Sequence, residues 1–445
     1  MDNTLRQGEV GKRPVIFYGW VVVAVGFVTL GVSFGVWYSF SVFFMAIIQE
    51  FGWSRAAGSS IFSIFIFSQS IMGLLTGHLQ DRFGPRVIIP CGAVLLALCL
   101  ALTSRAQSLW HFYVVYGVFA GAGVSLLGFS SHSAFLPKWF ERKRGLALGI
   151  AMSGIGFGML FLVPLVEKSI TAYGWRATYL YLAVLVLCGI GPLNAVLSRG
   201  KPEDLNLRPD GDESGGNGGV RPAVSVKVMD PDWAGRNWTI GKAMATKRFW
   251  FLVMAFFFAS WVYQGTLLHA VSAMVDYGLE RQRAAYYFGI LGITGSAGKI
   301  LFGYLSDVMG RERVCTLGAA VVALGMFCLM GMAWAQGPLP LLFALLFGLG
   351  YGAAAPLFPS VSADIFLGNS FGLIFAVICI GGGLGGSTGP LVAGLCHDVS
   401  GSYFVSFILY LVGLFCSCLL IWLAAPRKVR QMVREGAALR RRLNG

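Results

Sequence analysis

The feature that most constrains this chain is a succession of apolar segments, each long enough to cross a lipid bilayer. A membrane-spanning helix needs about 20 predominantly apolar residues. The mean hydropathy is +0.71 and only 12 % of the residues are charged, against about 25 % in soluble domains. The pattern predicts an all-α integral membrane protein with twelve transmembrane helices, over residues 15–48, 57–80, 87–104, 109–136, 145–166, 177–198, 249–275, 284–306, 314–334, 341–363, 371–395 and 402–425.

The 34 lysine and arginine residues predict the orientation of the chain. With a cytoplasmic amino terminus, 27 of them fall in the tails and loops of that side, six fall in the opposite loops, and Lys299 lies inside a span. Basic loops stay in the cytoplasm, so both termini are expected there. The net charge of +14 is then an orientation signal beside anionic lipid rather than a sign of nucleic-acid binding. The nine cysteines show no CxxC pair and no zinc spacing, so no metal or other cofactor is predicted.

The chain repeats itself at an offset of 226 residues. The stretch "GHLQDRFGPR" at 77–86 shares its glycine, leucine, aspartate and arginine pattern with "GYLSDVMGRER" at 303–313. Repeated halves are typical of transporters that bind their substrate at the repeat interface near mid-membrane. The predicted domains are a six-helix half (1–198), a cytoplasmic linker with a short surface helix near its end (199–248), a second six-helix half (249–425) and a basic cytoplasmic tail (426–445).

The first of these stretches resembles the G-x-L-x-D-R-x-G-x-R signature of the major facilitator superfamily, and the resemblance covers nearly the whole chain. It implies that fold, with two pseudo-symmetric halves, and a loop that latches the cytoplasmic side shut in one state. The alternative is that the charges only anchor a short loop and satisfy the positive-inside bias. The signature residues are Gly77, Leu79, Asp81, Arg82, Gly84 and Arg86, and the second copy supplies Gly303, Asp307, Gly310, Arg311 and Arg313.

A narrower resemblance is carried by "YGWVVV" at 18–23, "KWFERKRGLALGIAMSGIGFG" at 138–158 and "YGWR" at 173–176. These stretches are similar to the monocarboxylate transporters and their relatives, the oxalate:formate antiporters, and the linker text "KPEDLNLRPDGD" resembles a bacterial branch. The resemblance implies transport of a small monocarboxylate, lactate- or pyruvate-like, by alternating access across a bacterial inner membrane.

Lys299 is the cation within the spans. It stands eight residues before Asp307, so it lies about 12 Å up the helix at 1.5 Å per residue, near the middle of the bilayer. A charge there costs on the order of 3 kcal/mol on insertion scales and indicates a functional site by default. Gly292, Ser296, Lys299 and Gly303 share one helix face, which favours a cavity-facing ammonium that binds an anion. The alternative is a lysine that snorkels to the headgroups.

The family resemblance also shows departures. In those families a helix-eight arginine holds the substrate carboxylate, and the matching residue here is Lys299. Proton-driven members carry an aspartate one turn earlier, where this chain has Gly295, and many carry a helix-one lysine, where it has Tyr38. A second cation of the oxalate antiporters is replaced by an apolar stretch around Ile378. These departures make a dianion less expected and leave proton coupling open.

Other candidate ligands come from the helices that line the central cavity in the superfamily. Aromatic rings with a polar tip suit a small organic anion with an apolar end, although each ring is more often packing or an interfacial belt. His132 and His269 are candidate proton carriers because histidine titrates near neutral pH, although a lone histidine in a helix is more often structural. The predicted substrate-binding residues beside Lys299 are Tyr38, Tyr116, Tyr263, Gln264 and Tyr351, with Trp37 in the same region.

The sequence therefore predicts a monomeric secondary transporter whose partners are the lipid bilayer, a small organic anion and, if coupled, protons. An antiporter or exporter of another organic anion or amphiphile is the alternative within the same class. A membrane enzyme would need a nucleophile, a metal cluster or paired carboxylates beside the spans, and the sequence shows none. A transporter-like sensor would need a signalling domain, whereas the tails have about twenty residues each.

Overall fold

The computed structural model describes residues 17–140, 144–205, 207–208, 224–335, 337–368 and 370–434. Within these ranges, eleven helices are long and apolar enough to cross a membrane. The helix Leu146–Leu197 has 52 residues, far more than the roughly 20 that one crossing needs. Gly174 interrupts it with φ 79° and ψ 162°. Dividing it at Gly174 gives the twelve spans that the sequence predicts.

The spans are labelled α1 to α12 in chain order. Their bounds are α1 Tyr18–Phe51, α2 Arg55–Phe83, α3 Pro85–Thr103, α4 109–135, α5 144–173, α6 175–197, α7 Lys247–Asp276, α8 Arg281–Met309, α9 Arg311–Gly331, α10 Leu339–Phe366, α11 Phe371–Ser400 and α12 Phe404–Ala424. The segment Phe112–Ala120 of α4 has π-helical geometry, and α10 is interrupted at Ala353.

The two signature stretches form the same turn. Gly84 ends α2 with φ 73° and ψ 166°, and Gly310 ends α8 with φ 92° and ψ 152°. A positive φ is readily adopted only by glycine, which explains why both copies carry glycine there. In each copy the next helix starts at the following residue, Pro85 or Arg311. The repeat in the sequence is therefore a repeat in backbone geometry.

The packing of α5 and α11 shows the same repeat. A Cβ atom on Gly154 or Gly158 of α5 would meet the carbonyl oxygen of Phe27 or Gly31 in α1. The glycines at the matching positions of α11, Gly381 and Gly385, lie in the same way against the carbonyls of Val253 and Phe257 in α7. Small residues let membrane helices approach this closely, so each half is built on one glycine-mediated helix pair.

The linker and the tail meet outside the spans. Strand β1, Val224–Val228, pairs antiparallel with strand β2, Arg430–Arg434. The sequence did not predict this two-stranded ribbon, which is the exception to the all-α description within the described residues. Two short helices follow β1, Pro231–Ala234 and Ile240–Met244, and Trp233 donates a hydrogen bond to the Ile365 carbonyl at the end of α10 (2.9 Å).

Candidate substrate-binding site

Lys299 lies on the α8 face that meets the other half of the molecule. Gly156 of α5 packs against this face, where an added Cβ would lie 2.5 Å from the Gly292 carbonyl oxygen and would also meet the Ser296 hydroxyl. Lys299 follows Ser296 by three residues, so the two share a helix face. Lys299 is half-buried, and no described residue forms a hydrogen bond or an ion pair with its ammonium. The charge is therefore placed at the interface between the halves without a protein counter-ion in the described part of the chain.

The neighbouring face of α8 packs tightly on α10. A Cβ on Gly352 would lie 2.6 Å from the Lys299 backbone nitrogen, and a Cβ on Gly295 would lie 3.4 Å from the Gly348 carbonyl oxygen and 3.6 Å from the Tyr351 ring. Position 295 is therefore a helix contact in this protein. A methyl group at this position would make ordinary van der Waals contacts with α10.

Tyrosines from three helices converge one turn from Lys299. The hydroxyl groups of Tyr38 in α1 and Tyr351 in α10 are 3.0 Å apart, so this pair bridges the two halves. The Tyr263 ring of α7 stands edge-on to Tyr351 with centroids 5.2 Å apart. Trp37 stacks on Tyr38 at 5.7 Å. Three of the tyrosines singled out from the sequence thus lie together beside the Lys299 segment.

Tyr116 does not join this group. Its ring stacks between Phe40 (4.8 Å) and Phe65 (5.3 Å), and only 1 % of the residue is exposed. It lies inside the amino-terminal half, where it fills the space between α1, α2 and α4. The sequence pattern placed Tyr116 in a cavity-lining helix but could not show which face of the helix carries it.

Gln264 lies at the junction of α2, α7 and α11. A Cβ on Gly386 would lie 3.2 Å from both the Gln264 Cγ and the Ile66 side chain. The Gln264 Oε1 is buried and has no hydrogen-bond partner in the described part of the protein, and the same holds for the Trp37 Nε1. Buried polar atoms are nearly always hydrogen-bonded, so these two atoms are exceptions to the usual pattern.

A polar network that the sequence analysis missed joins the halves at the far face, the face opposite to the described chain ends Phe17 and Arg434. Arg55 in α2 forms an ion pair with Asp276 in α7 (2.8 Å) and donates a hydrogen bond to the Tyr403 hydroxyl (2.5 Å). The Asp398 carboxylate of α11 accepts bonds from the backbone nitrogens of Arg55 and Ala56, both at 2.8 Å. The sequence signal was only that Arg55, Asp276 and Asp398 stand at helix ends on one side. We call these three residues the far-face clasp.

His269 lies directly beneath the far-face clasp. Its Nε2 is 2.9 Å from the Pro390 carbonyl oxygen and 3.0 Å from the Ser59 hydroxyl, and its Nδ1 is 2.9 Å from the Tyr403 hydroxyl. Because a carbonyl can only accept, this geometry assigns the hydrogen to Nε2 and makes Nδ1 the acceptor of the tyrosine proton. His269 thereby connects α2 of one half with α7, α11 and α12 of the other.

His132 differs from His269. It is buried in α4, and its Nδ1 lies 3.0 Å from the Gly128 carbonyl oxygen of its own helix. Its ring packs near Gly26 of α1, so its contacts stay within the amino-terminal half. Of the two histidines, His269 is the one placed to respond to a movement between the halves.

A second set of far-face contacts joins α1 and α5 to the start of α8. Arg281 donates to the Gln49 side-chain oxygen at 2.7 Å, and Gln282 donates to the Pro164 carbonyl at 3.2 Å. Between described residues, the hydrogen bonds and ion pairs that cross between the halves include these, the contacts of the far-face clasp, the Arg55–Tyr403 and His269–Ser59 contacts and the Tyr38–Tyr351 pair. The structure is thus closed at the far face.

The signature residues lie at the opposite, near face and bond within their own halves. Arg86 donates to the Ala195 carbonyl at the end of α6 (3.0 Å). Arg311 forms ion pairs with Asp364 (3.0 Å) and Asp307 (2.8 Å). Arg82 and Arg313 are exposed, a Cβ on Gly77 would meet no atom within 4 Å, and one on Gly303 would meet only Pro356 of its own half. The Asp81 side chain lies outside what the structure describes.

The fold agrees with comparisons to known proteins. A family model described as the Major Facilitator Superfamily matches residues 25–386. The chain belongs to the major facilitator superfamily. As a member of this superfamily it is a multi-pass membrane protein of a transporter family, as the resemblance of its signature residues predicts.

Curated relatives of this major facilitator protein include monocarboxylate transporters. Monocarboxylate transporter 12 of Xenopus laevis is 28 % identical over 91 % of this chain and 88 % of its own length. Monocarboxylate transporter 13 of Bos taurus is 29 % identical over 88 % of this chain and 85 % of its own length. A solved bacterial homologue of the human lysosomal transporter Spinster, in an inward-facing and occupied conformation, has a TM-score of 0.67, 15 % identity and coverage of 93 % and 98 %. The solved structure of a D-xylose-proton symporter has a TM-score of 0.67 and 18 % identity, and the match covers 91 % of this chain and 97 % of that one. These two structures support the fold alone.

Proposed function

We propose that this protein is a secondary transporter that moves a small monocarboxylate, lactate- or pyruvate-like, by alternating access, with Lys299 as the carboxylate anchor. The observation that carries the proposal is the Lys299 ammonium, which stands at the interface of the halves without a counter-ion among the described residues and one turn from the Tyr38–Tyr351 pair. A charge that is partly removed from water is stabilised by an opposite charge, and a substrate carboxylate supplies one. The names of the monocarboxylate transporter relatives support the same substrate class.

We place both termini in the cytoplasm of a bacterial cell and the spans in its inner membrane. The distribution of the 34 lysine and arginine residues supports this orientation. The far face is then the outside, and the structure represents a state closed to the outside. In the opposite state, the signature residues Asp81, Arg82 and Arg86, with Asp307, Arg311 and Arg313, would close the cytoplasmic side. The partners are lipid and a small organic anion, the protein acts as a monomer without a cofactor, and it is not an enzyme.

A second question within the proposal is whether transport is coupled to protons. Gly295 supplies no carboxylate at the position where the family resemblance implies an aspartate in proton-driven members, which favours the alternative of an antiporter or exporter of an organic anion. If protons are carried, His269 is the group whose hydrogen bonds connect the two halves. Exchange and symport therefore differ in whether a pH gradient drives net uptake.

Uptake of labelled lactate and pyruvate into proteoliposomes tests the proposal, with wild type beside Lys299→Ala and Lys299→Arg. We expect wild-type uptake, a loss of at least about tenfold in Lys299→Ala, and partial recovery in Lys299→Arg, because arginine keeps the charge with a different geometry. Comparison with and without an imposed pH gradient reports coupling. Equal uptake by wild type and Lys299→Ala would show that Lys299 is a snorkelling residue and would remove the anchor from the proposal.

A further inference from the structure

Of the buried polar atoms that have no hydrogen-bond partner among the described residues, two belong to the residues that neighbour Tyr38 and Tyr263 in the chain. They are the indole Nε1 of Trp37 and the amide Oε1 of Gln264. Trp37 is 6 % exposed, and its indole N–H can only donate, whereas an amide oxygen accepts. A buried polar atom without a partner costs the full desolvation of that atom. Beside the tyrosine group the protein thus keeps an unpaired donor and an unpaired acceptor, in addition to the unpaired Ser296 hydroxyl near Lys299.

The surroundings of Gln264 place it away from Lys299. Gly386 of α11 packs against the Gln264 side chain, and Gly383, one turn earlier, packs against Ser70 of α2. Tyr263 is the preceding residue of α7 and turns toward Tyr351 of α10, whereas Gln264 turns toward α2 and α11. Tyr351 packs beside Gly295, one turn from Lys299, so Tyr263 faces the Lys299 segment of α8 while Gln264 faces α2 and α11.

Trp37 borders the same α2 segment as Gln264. Its ring is 5.7 Å from the Phe65 ring in a T-shaped arrangement, and the next residue, Ile66, is the one that meets Gln264 at Gly386. Trp37 also stacks on Tyr38. The unpaired donor and the unpaired acceptor therefore belong to residues that border consecutive positions of α2, Phe65 and Ile66.

We propose that Trp37 and Gln264 form a second recognition point, which selects monocarboxylates whose end remote from the carboxylate carries an uncharged group that both accepts and donates hydrogen bonds, such as a primary amide. The inference rests on the proposed function, because the carboxylate end is assigned to Lys299. The indole N–H donates to the carbonyl of the remote group, and the glutamine oxygen accepts from its N–H. A hydrocarbon end would leave both protein atoms unpaired.

Comparing three carboxylates of nearly the same size distinguishes the hydrogen bond of Trp37 from that of Gln264. Succinamate ends in an amide, levulinate replaces the NH₂ of that amide by a methyl group, and 4-methylpentanoate carries neither hydrogen-bonding group. A site built to hydrogen-bond a substrate rejects the analogue that lacks the group. We expect wild-type kcat/KM for proteoliposome uptake to fall in the order succinamate, levulinate, 4-methylpentanoate, by about tenfold between the first and the last.

Two variants test which residue causes each difference in kcat/KM. Gln264→Met should remove the preference for succinamate over levulinate, and Trp37→Phe should remove the preference for levulinate over 4-methylpentanoate. The matched controls Gln107→Met and Trp110→Phe change the same residue types at the far-face ends of the helices and should leave the order intact. Ligand-induced shifts in Tm of the purified variants give a second readout that does not depend on transport.

Three outcomes are distinguished. The expected order, lost selectively in the two variants, supports the second recognition point. Equal transport of all three carboxylates by wild type, or an equal loss for all three in each variant, overturns it and leaves the monocarboxylate proposal standing. Failure of all three, and of lactate and pyruvate, to be transported or to raise Tm overturns both.

Discussion

At the residue scale, the sequence predicted the charge but not its surroundings. Lys299 is conspicuous because hydropathy makes a cation in a span costly, and its position near mid-membrane follows from helix rise alone. The convergence of Tyr38, Tyr263 and Tyr351 could not be predicted, because it depends on the rotation of three helices that are distant in the sequence. Tyr116 shows the same limit, since an equally suitable tyrosine in a lining helix faces the core of its own half.

The Tyr38–Tyr351 hydroxyl pair gives a prediction at this scale. Tyr38→Phe or Tyr351→Phe should each lower the free energy of unfolding by about 1 kcal/mol, because each leaves one hydroxyl without its partner. The double variant should cost little more than either single variant, since both hydroxyls are then absent. Urea or thermal unfolding of the purified proteins measures the three losses. Strictly additive losses would mean that the hydroxyl groups do not interact.

At the element scale, helix existence followed from composition, whereas helix partners did not. The apolar segments predicted the spans, yet the specific neighbours of Gly158 and Gly385 on α1 and α7 required the three-dimensional structure. Gly174 marks the α5–α6 boundary through a backbone angle that composition suggests only weakly. The β1–β2 ribbon was missed because its strands are about 200 residues apart.

Two glycines of α5 test this packing with a matched pair. Gly158→Ala should destabilise the protein by about 1–3 kcal/mol, because the new methyl group would overlap the Gly31 carbonyl of α1 and such overpacking strains the interface. Gly149→Ala should be neutral or stabilising by up to about 1 kcal/mol, because no atom lies within 4 Å of the new Cβ and alanine favours the helix. Near-UV circular dichroism during thermal unfolding compares the two. Equal Tm values for the pair would contradict the assigned α1–α5 contact.

At the scale of the whole molecule, alternating access requires that the contacts closing the far face be released together. Arg55 is central, because its side chain bonds to Asp276 in α7 and to Tyr403, the residue that caps the start of α12, while its backbone nitrogen bonds to Asp398 in α11. Arg55→Ala removes the side-chain bonds and leaves the backbone bond. A hydrogen bond that involves a charged group contributes about 1.5–3 kcal/mol, so the equilibrium should shift at least about tenfold toward opening of the far face.

The reporter is Ser272→Cys in a protein without its native cysteines, since Ser272 is fully buried one turn below Asp276. A charged thiol reagent should label it at least about tenfold faster in Arg55→Ala than in the parent, and Arg105→Ala, which changes an exposed arginine of the same face, should not alter the rate. Unchanged labelling in Arg55→Ala would show that the far-face clasp does not hold the two halves together.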